Sequence, residues 1–176
     1  EKWNHTMTAV VAICKATSMI DNVHVTVSFR ATQRTAGTEL PYVVLAYDSE
    51  VDRFSKVRTL FPYLVPNGCT PEGLAFGAIM GLFDNITPDE ENRYFLNLSD
   101  GEPCFMLKVP GRGVTLSYMR ETGTTHTKTQ VDKIRSRGVD IMSYFITDTP
   151  ATSKDQYAQT LKKDFQKTMI LLIQGA

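Results

Sequence analysis

Three short segments of this chain gather residue types that handle hard cations or move protons. Asn67-Gly68-Cys69-Thr70-Pro71-Glu72-Gly73 sets a hydroxyl between glycines where a helix should begin. Leu98-Ser99-Asp100-Gly101-Glu102-Pro103 sets a carboxylate where an apolar strand stops. Thr147-Asp148-Thr149 adds a second carboxylate just past the next strand. A hard cation such as Mg²⁺ takes oxygen ligands in near-octahedral geometry at about 2.1 Å and keeps several of its waters. The Thr70 hydroxyl and the Asp100 carboxylate, on neighbouring loops, meet part of that demand. Each feature also has a plainer use. Thr ahead of Pro-Glu is a common helix cap, Asp-Gly after a strand is a common turn, and Asp148 can cap or solvate a loop.

Other chemistries find less support. His5, His24 and His126 fall on three different elements, each without a second histidine or a carboxylate at ligand spacing, and His24 sits on the polar face of an alternating strand. No GxSxG elbow and no GxxxxGK[ST] loop occurs, which removes the usual signatures of an α/β-hydrolase nucleophile and of a nucleotide triphosphatase. Gly111-Arg112-Gly113 is a lone GxG and reads as a flexible turn. Cys14, Cys69 and Cys104 are scattered without a CxxC pair, so neither a zinc ribbon nor a disulfide framework is indicated. Lys162, Lys163 and Lys167 read as the solvated face of a helix.

The elements that must position these residues follow from periodicity. Trp3, Met7, Val10, Val11 and Cys14 recur at helical spacing, predicting a helix over Lys2 to Met19 that Asp21-Asn22 breaks. Val23 to Arg30 alternates apolar and polar residues without exception, the mark of a half-buried strand. After a polar stretch, Tyr42 to Tyr47 reads as its antiparallel neighbour. A short helix within Val51 to Leu60 and a rigid loop at Pro62 to Gly68 precede a helix from Thr70 to about Phe83. Gly73, Gly77 and Gly81 recur in that helix, where they allow close helix–sheet approach. Arg93 to Ser99 is a buried strand, and residues 104 to 124 form an excursion or hairpin. A helix from Thr127 to Arg137, stopped by Gly138, leads to a strand over Val139 to Ile146. Thr152-Ser153 caps a helix bearing Tyr157, Leu161 and Phe165, and Met169 to Ile173 is a last strand.

Strands alternating with helices of this length predict an α/β fold, a doubly wound and mostly parallel open sheet with helices on both faces and one antiparallel edge strand. Ligands of such sheets bind outside the carboxyl ends of the strands, where the three polar segments fall. Doubly wound sheets normally begin on a buried strand. This chain begins on a helix, so a strand lost ahead of Glu1 is expected.

The 176 residues suffice for one domain, and 42% apolar residues suffice for its core. Nineteen basic and nineteen acidic residues cancel, which argues against direct binding to nucleic acid or an anionic membrane. The longest apolar stretch, Met169 to Ile173, is far too short to span a bilayer. Odd, unpaired cysteines favour a reducing, cytoplasmic compartment.

The polar segments together carry a resemblance. Gly68-Cys69-Thr70-Pro71-Glu72-Gly73 resembles the GxTPxG segment of von Willebrand factor A domains, and Leu98-Ser99-Asp100-Gly101-Glu102-Pro103 resembles their hxSDGxP segment. A helix and a buried strand separate them, as in that family, and residues 127 to 146 match its continuation. The resemblance implies a single Rossmann-like von Willebrand A domain over residues 1–176, lacking its first strand, with a metal-ion-dependent adhesion site for Mg²⁺ or Mn²⁺. Thr70 would supply a hydroxyl ligand and Asp100 a carboxylate, directly or through water. Glu72, Glu102 and Asp148 would face a partner protein whose acidic side chain fills the open metal position. The family's remaining ligands come from an Asp-x-Ser-x-Ser loop, a motif absent from these residues. The subgroup most similar is the intracellular integrin-like domain of cobalt- and magnesium-chelatase subunits, which implies a non-catalytic subunit partnered with a ring-forming AAA+ ATPase. The alternative is an Mg²⁺-dependent α/β phosphoryl-transfer hydrolase using Asp100 as nucleophile or base, with Asp148 as the converging carboxylate.

Overall fold

The computed structural model describes residues 2–35, 38–84, 92–99, 103–108 and 111–145. Helix α1 (Lys2–Thr17) opens them, and Met7, Val10, Val11 and Cys14 form its single apolar stripe. It stops two residues before the predicted end. There the Thr17 hydroxyl bonds the Ile13 carbonyl at 2.9 Å and the Ser18 hydroxyl bonds the Lys15 carbonyl at 2.8 Å, drawing the last turn in on itself.

Strands β1 (Thr26–Thr35) and β2 (Thr38–Asp48) form an antiparallel hairpin. Val27 and Phe29 point toward α1, and the alternation sends Ser28, Arg30 and Thr32 to the other face. The hairpin runs well past the predicted Arg30. Polar residues carry it, because Thr32, Gln33 and Arg34 find backbone partners at Pro41, Leu40 and Glu39, and a ladder needs no apolar side chains once its partner strand is fixed. Ala46 is an extra residue on β2 at the register shift opposite Val27 and Ser28. That bulge lets two consecutive residues, Ala46 and Tyr47, both be buried.

Helix α2 (Ser55–Leu60) and a 3₁₀ turn (Phe61–Tyr63) close the first core, which gathers Val10, Cys14, Ala46, Tyr47, Val57 and Phe61. Phe29 ties it together, its ring 5.7 Å from Trp3 and 5.6 Å edge-on from Phe61. The Trp3 indole N–H also donates to the Leu64 carbonyl at 3.1 Å.

The helix predicted from Thr70 to Phe83 is two helices, α3 (Glu72–Ala78) and α4 (Met80–Asp84), separated at Ile79 (φ −91°, ψ 3°). Gly77 and Gly81 flank the break, and glycine lowers the cost of leaving helical geometry there. Strand β3 (Tyr94–Ser99) follows, then a hairpin of β4 (Phe105–Lys108) and β5 (Thr115–Tyr118), as the glycines of the 104–124 excursion suggested. Helix α5 (Arg120–Arg135) begins seven residues before the predicted start, and β6 (Asp140–Phe145) follows it. Its first turn carries Arg-Glu-Thr-Gly, poor helix-forming sequence, but Gly123 packs there on Pro103, where a Cβ would sit 3.1 Å from that residue. Tertiary contact extends the helix beyond its propensity. The predicted helix after Thr152 and the strand Met169 to Ile173 lie outside the described residues.

The described residues form a mixed α/β structure with three two-stranded sheets, β1–β2, β3–β6 and β4–β5. Only β3–β6 is parallel. This differs from the mostly parallel sheet that alternation of strands and helices predicts, and connection length is the reason. The short turns after β1 and β4 permit only antiparallel return, whereas β3 reaches β6 through the β4–β5 hairpin and α5, long enough for a parallel crossover. A second core of Phe76, Ile134, Val139 and Ile141 lies between α3, α5 and β6. Strand β3 serves both cores, with Phe95 packed on the second and Leu98 on the first. No helix among the described residues is long and apolar enough to cross a membrane.

Candidate functional site

The turn that carries Thr70 is built on β1. Gly68 adopts φ +71°, and an added Cβ would stand 1.9 Å from the Thr32 hydroxyl, so both conformation and space require glycine. The Thr32 side chain is buried at 1% exposure. Its hydroxyl accepts the Cys69 amide at 2.8 Å and donates to the Glu39 carboxylate. On the other side of the turn, the Thr70 carbonyl accepts two amides at 2.9 Å, from Glu72 and from Cys104. Pro71 is buried behind it. The Thr70 side chain is half-buried, and its hydroxyl makes no hydrogen bond within the described residues.

Glu72 turns inward. Its carboxylate accepts Arg30 Nη2 at 3.0 Å and Asn97 Nδ2 at 2.9 Å, through the same Oε1. Arg30 also donates from Nη1 to Asn97 Oδ1 at 2.9 Å and from Nη2 to the Leu98 carbonyl at 3.5 Å. Asn97 Nδ2 reaches Ser143 Oγ on β6 at 3.4 Å. The guanidinium lies 5.9 Å from the Phe76 ring centroid. A charged pair with 18% and 10% of its side-chain surface exposed thus joins β1, α3, β3 and β6. Such a pair is retained only when hydrogen bonds satisfy most of its donors and acceptors.

Gly73 is the point of closest approach between α3 and its neighbours. A Cβ there would lie 2.4 Å from the Tyr118 hydroxyl and 2.8 Å from the Thr127 backbone. The Tyr118 oxygen is 2.9 Å from His126 Nδ1, and His126 Nε2 is 2.9 Å from Gln130 Nε2, forming a chain from β5 along α5. Burial pushes the Tyr118 phenol above its ordinary pKa. The two terminal glycines of Gly68-Cys69-Thr70-Pro71-Glu72-Gly73 therefore have packing reasons within this fold, one against β1 and one against α5 and β5.

The sequence-predicted residues separate as follows. Thr70 is exposed enough to bind and unengaged. Glu72, a candidate for partner contact, is buried and ion-paired inside the chain. Asp100, Glu102 and Asp148 lie outside the described residues. Among those described, no group of three or more His, Cys, Asp or Glu could hold a metal ion. The histidines are apart, as their spacing predicted, with His24 exposed and 3.5 Å from Glu50.

Sequence reasoning missed Arg30 and Asn97. Both carried a signal. Arg30 ends the alternating run on a face that a second helix layer must cover, and Asn97 interrupts the apolar strand Tyr94-Phe95-Leu96-Asn97-Leu98. A polar residue at such a position needs a buried partner.

No family model, curated protein or solved structure matches this chain.

Proposed function

We propose that the chain is a metal-dependent protein-binding module, with Mg²⁺ or Mn²⁺ held between the Thr70 turn and the segment that follows β3. The observation that carries this reading is the 2.9 Å bond from the Cys104 amide to the Thr70 carbonyl. It brings the residue just beyond Asp100-Gly101-Glu102-Pro103 against the turn bearing a free hydroxyl. β3 ends at Ser99, one residue before Asp100. A hydroxyl with both lone pairs available suits a hard cation. Thr70 and Asp100 fit such an ion as a partial set, and further oxygens from water, from Glu102 or Asp148, or from outside this sequence complete its shell.

The fold we propose around it is the doubly wound von Willebrand A arrangement. Its supports are the parallel β3–β6 pair, the α1 core on one side of β3 and α3 with α5 on the other. In that reading the metal presents an open position to an acidic side chain of a partner protein, a ring-forming AAA+ ATPase being the assembly that the sequence resemblance implies. The chain itself acts as a non-catalytic cytoplasmic subunit.

Thermal unfolding with and without millimolar Mg²⁺ or Mn²⁺, wild type beside Thr70→Ala, tests it. A ligand bound only to the native state at a hundredfold excess over its Kd adds about 2.7 kcal/mol. Wild type should therefore unfold several degrees higher with metal, and Thr70→Ala should not. Equal shifts in both proteins, or none in either, would overturn the reading.

A further inference from the structure

The scattered cysteines of the sequence are not scattered in the fold. Cys69 and Cys104 are 35 positions apart in the chain, yet their thiols are in side-chain hydrogen-bonding contact. Their backbones are held together independently. The Cys104 amide donates to the carbonyl of Thr70, the residue next to Cys69, at 2.9 Å, and the Cys69 amide is pinned to Thr32 at 2.8 Å. Both side chains are half-buried, so a small oxidant reaches them, whereas Cys14 is fully buried in the first core. Gly68 at φ +71° and buried Pro71 fix the turn that carries Cys69, so the pair meets without the loop having to search.

We propose that Cys69 and Cys104 are a reversible oxidation site that closes to a disulfide and clips the Thr70 turn to β4. With a peroxide as oxidant, one thiolate attacks the O–O bond, giving a sulfenic acid and releasing hydroxide. The second sulfur displaces the hydroxyl group from the first, the S–S bond forms, and its proton leaves with the hydroxyl as water. The sum is two thiols and one H₂O₂ giving one disulfide and two waters. A dithiol reductant returns two electrons and two protons. The proposal stands on the contact between the two sulfurs and does not depend on the metal reading.

The test uses the full chain, reduced and then treated with a small excess of H₂O₂ in its native state. Free thiols counted after denaturation should fall from three to one, and dithiothreitol should restore them. Peptide mapping should recover one crosslinked pair containing Cys69 and Cys104, lighter by two hydrogens than the reduced peptides. Crosslinking in the native chain should be at least ~10-fold faster than in concentrated guanidinium, because the fold supplies a high effective concentration of one thiol for the other. Cys69→Ser and Cys104→Ser should each remain monomeric and uncrosslinked at the same dose. Retention of three thiols, sulfinic acid at either residue in place of the crosslink, a crosslink through Cys14, or equal native and denatured rates would each overturn the assignment. The mapping is done on the wild-type chain, so the outcome stands even where a serine variant folds poorly.

Discussion

Removing one partner of the Arg30–Glu72 pair should destabilise the chain far more than removing both. Glu72 Oε1 accepts bonds from Arg30 and from Asn97. Glu72→Leu leaves the guanidinium with Asn97 Oδ1 and the Leu98 carbonyl but without a counter-charge, at a site where its side chain is 18% exposed. Breaking a buried pair in this way costs about 3–5 kcal/mol. The two acceptors that Arg30 keeps place this case near the lower end, about 3 kcal/mol. For a chain of this size that lowers the midpoint of thermal unfolding by about 6–12 °C. Arg30→Met, which still packs on Phe76, should cost a similar amount by stranding the carboxylate. The double variant removes both charges, so its loss should fall well below the sum, with a coupling of about 1.5 kcal/mol or more. Urea denaturation of the four proteins followed by circular dichroism measures the cycle. Single variants that each cost under about 1 kcal/mol, adding without coupling, would refute the claim that this pair is a buried, mutually dependent one.

Gly73→Ala should be strongly destabilising, by about 1–3 kcal/mol, because the new methyl meets the Thr127 backbone, which cannot swing aside. Gly81→Ala, with open space around its Cβ, should instead stabilise by up to about 1 kcal/mol, and comparing both in one denaturation series checks the pair. Stability should also fall as pH rises above about 9. Burial raises the pKa values of Cys14, Tyr47 and Tyr118, and burial together with the Cys104 thiol pushes Cys69 up to about 12. Each group keeps its proton longer in the folded chain, so unfolding releases protons in that range and the folded state loses ground until Cys69 itself ionises. Denaturation midpoints at pH 7, 8, 9 and 10 that do not change would contradict this.

Much of the local structure was legible in the sequence. The stripe from Trp3 to Cys14, the strict alternation from Val23 to Arg30 and the apolar run from Tyr94 to Leu98 each named their element correctly, because one buried face imposes one period on the chain. The ends were less legible. β1 continues through polar Thr32 to Thr35 because β2 lies opposite, and α5 starts early because Gly123 rests on Pro103. The turn glycines at 68 and 73 could be recognised as special, but not why. Gly68 makes room for Thr32 and Gly73 for Tyr118 and Thr127, neighbours 36 or more residues away in sequence.

The sequence by itself determined which residue types stand beside one another along the chain, and so placed a hydroxyl, a carboxylate and a strand end in the right order. Only the tertiary structure decided which of them are available. It turned Glu72 inward to Arg30 and Asn97, left the Thr70 hydroxyl unengaged, and brought Cys69 to Cys104. The reason is physical. Periodicity reports the burial of a side chain, which each residue carries locally, whereas the partner of a buried charge or thiol comes from a distant strand that only the folded chain brings near.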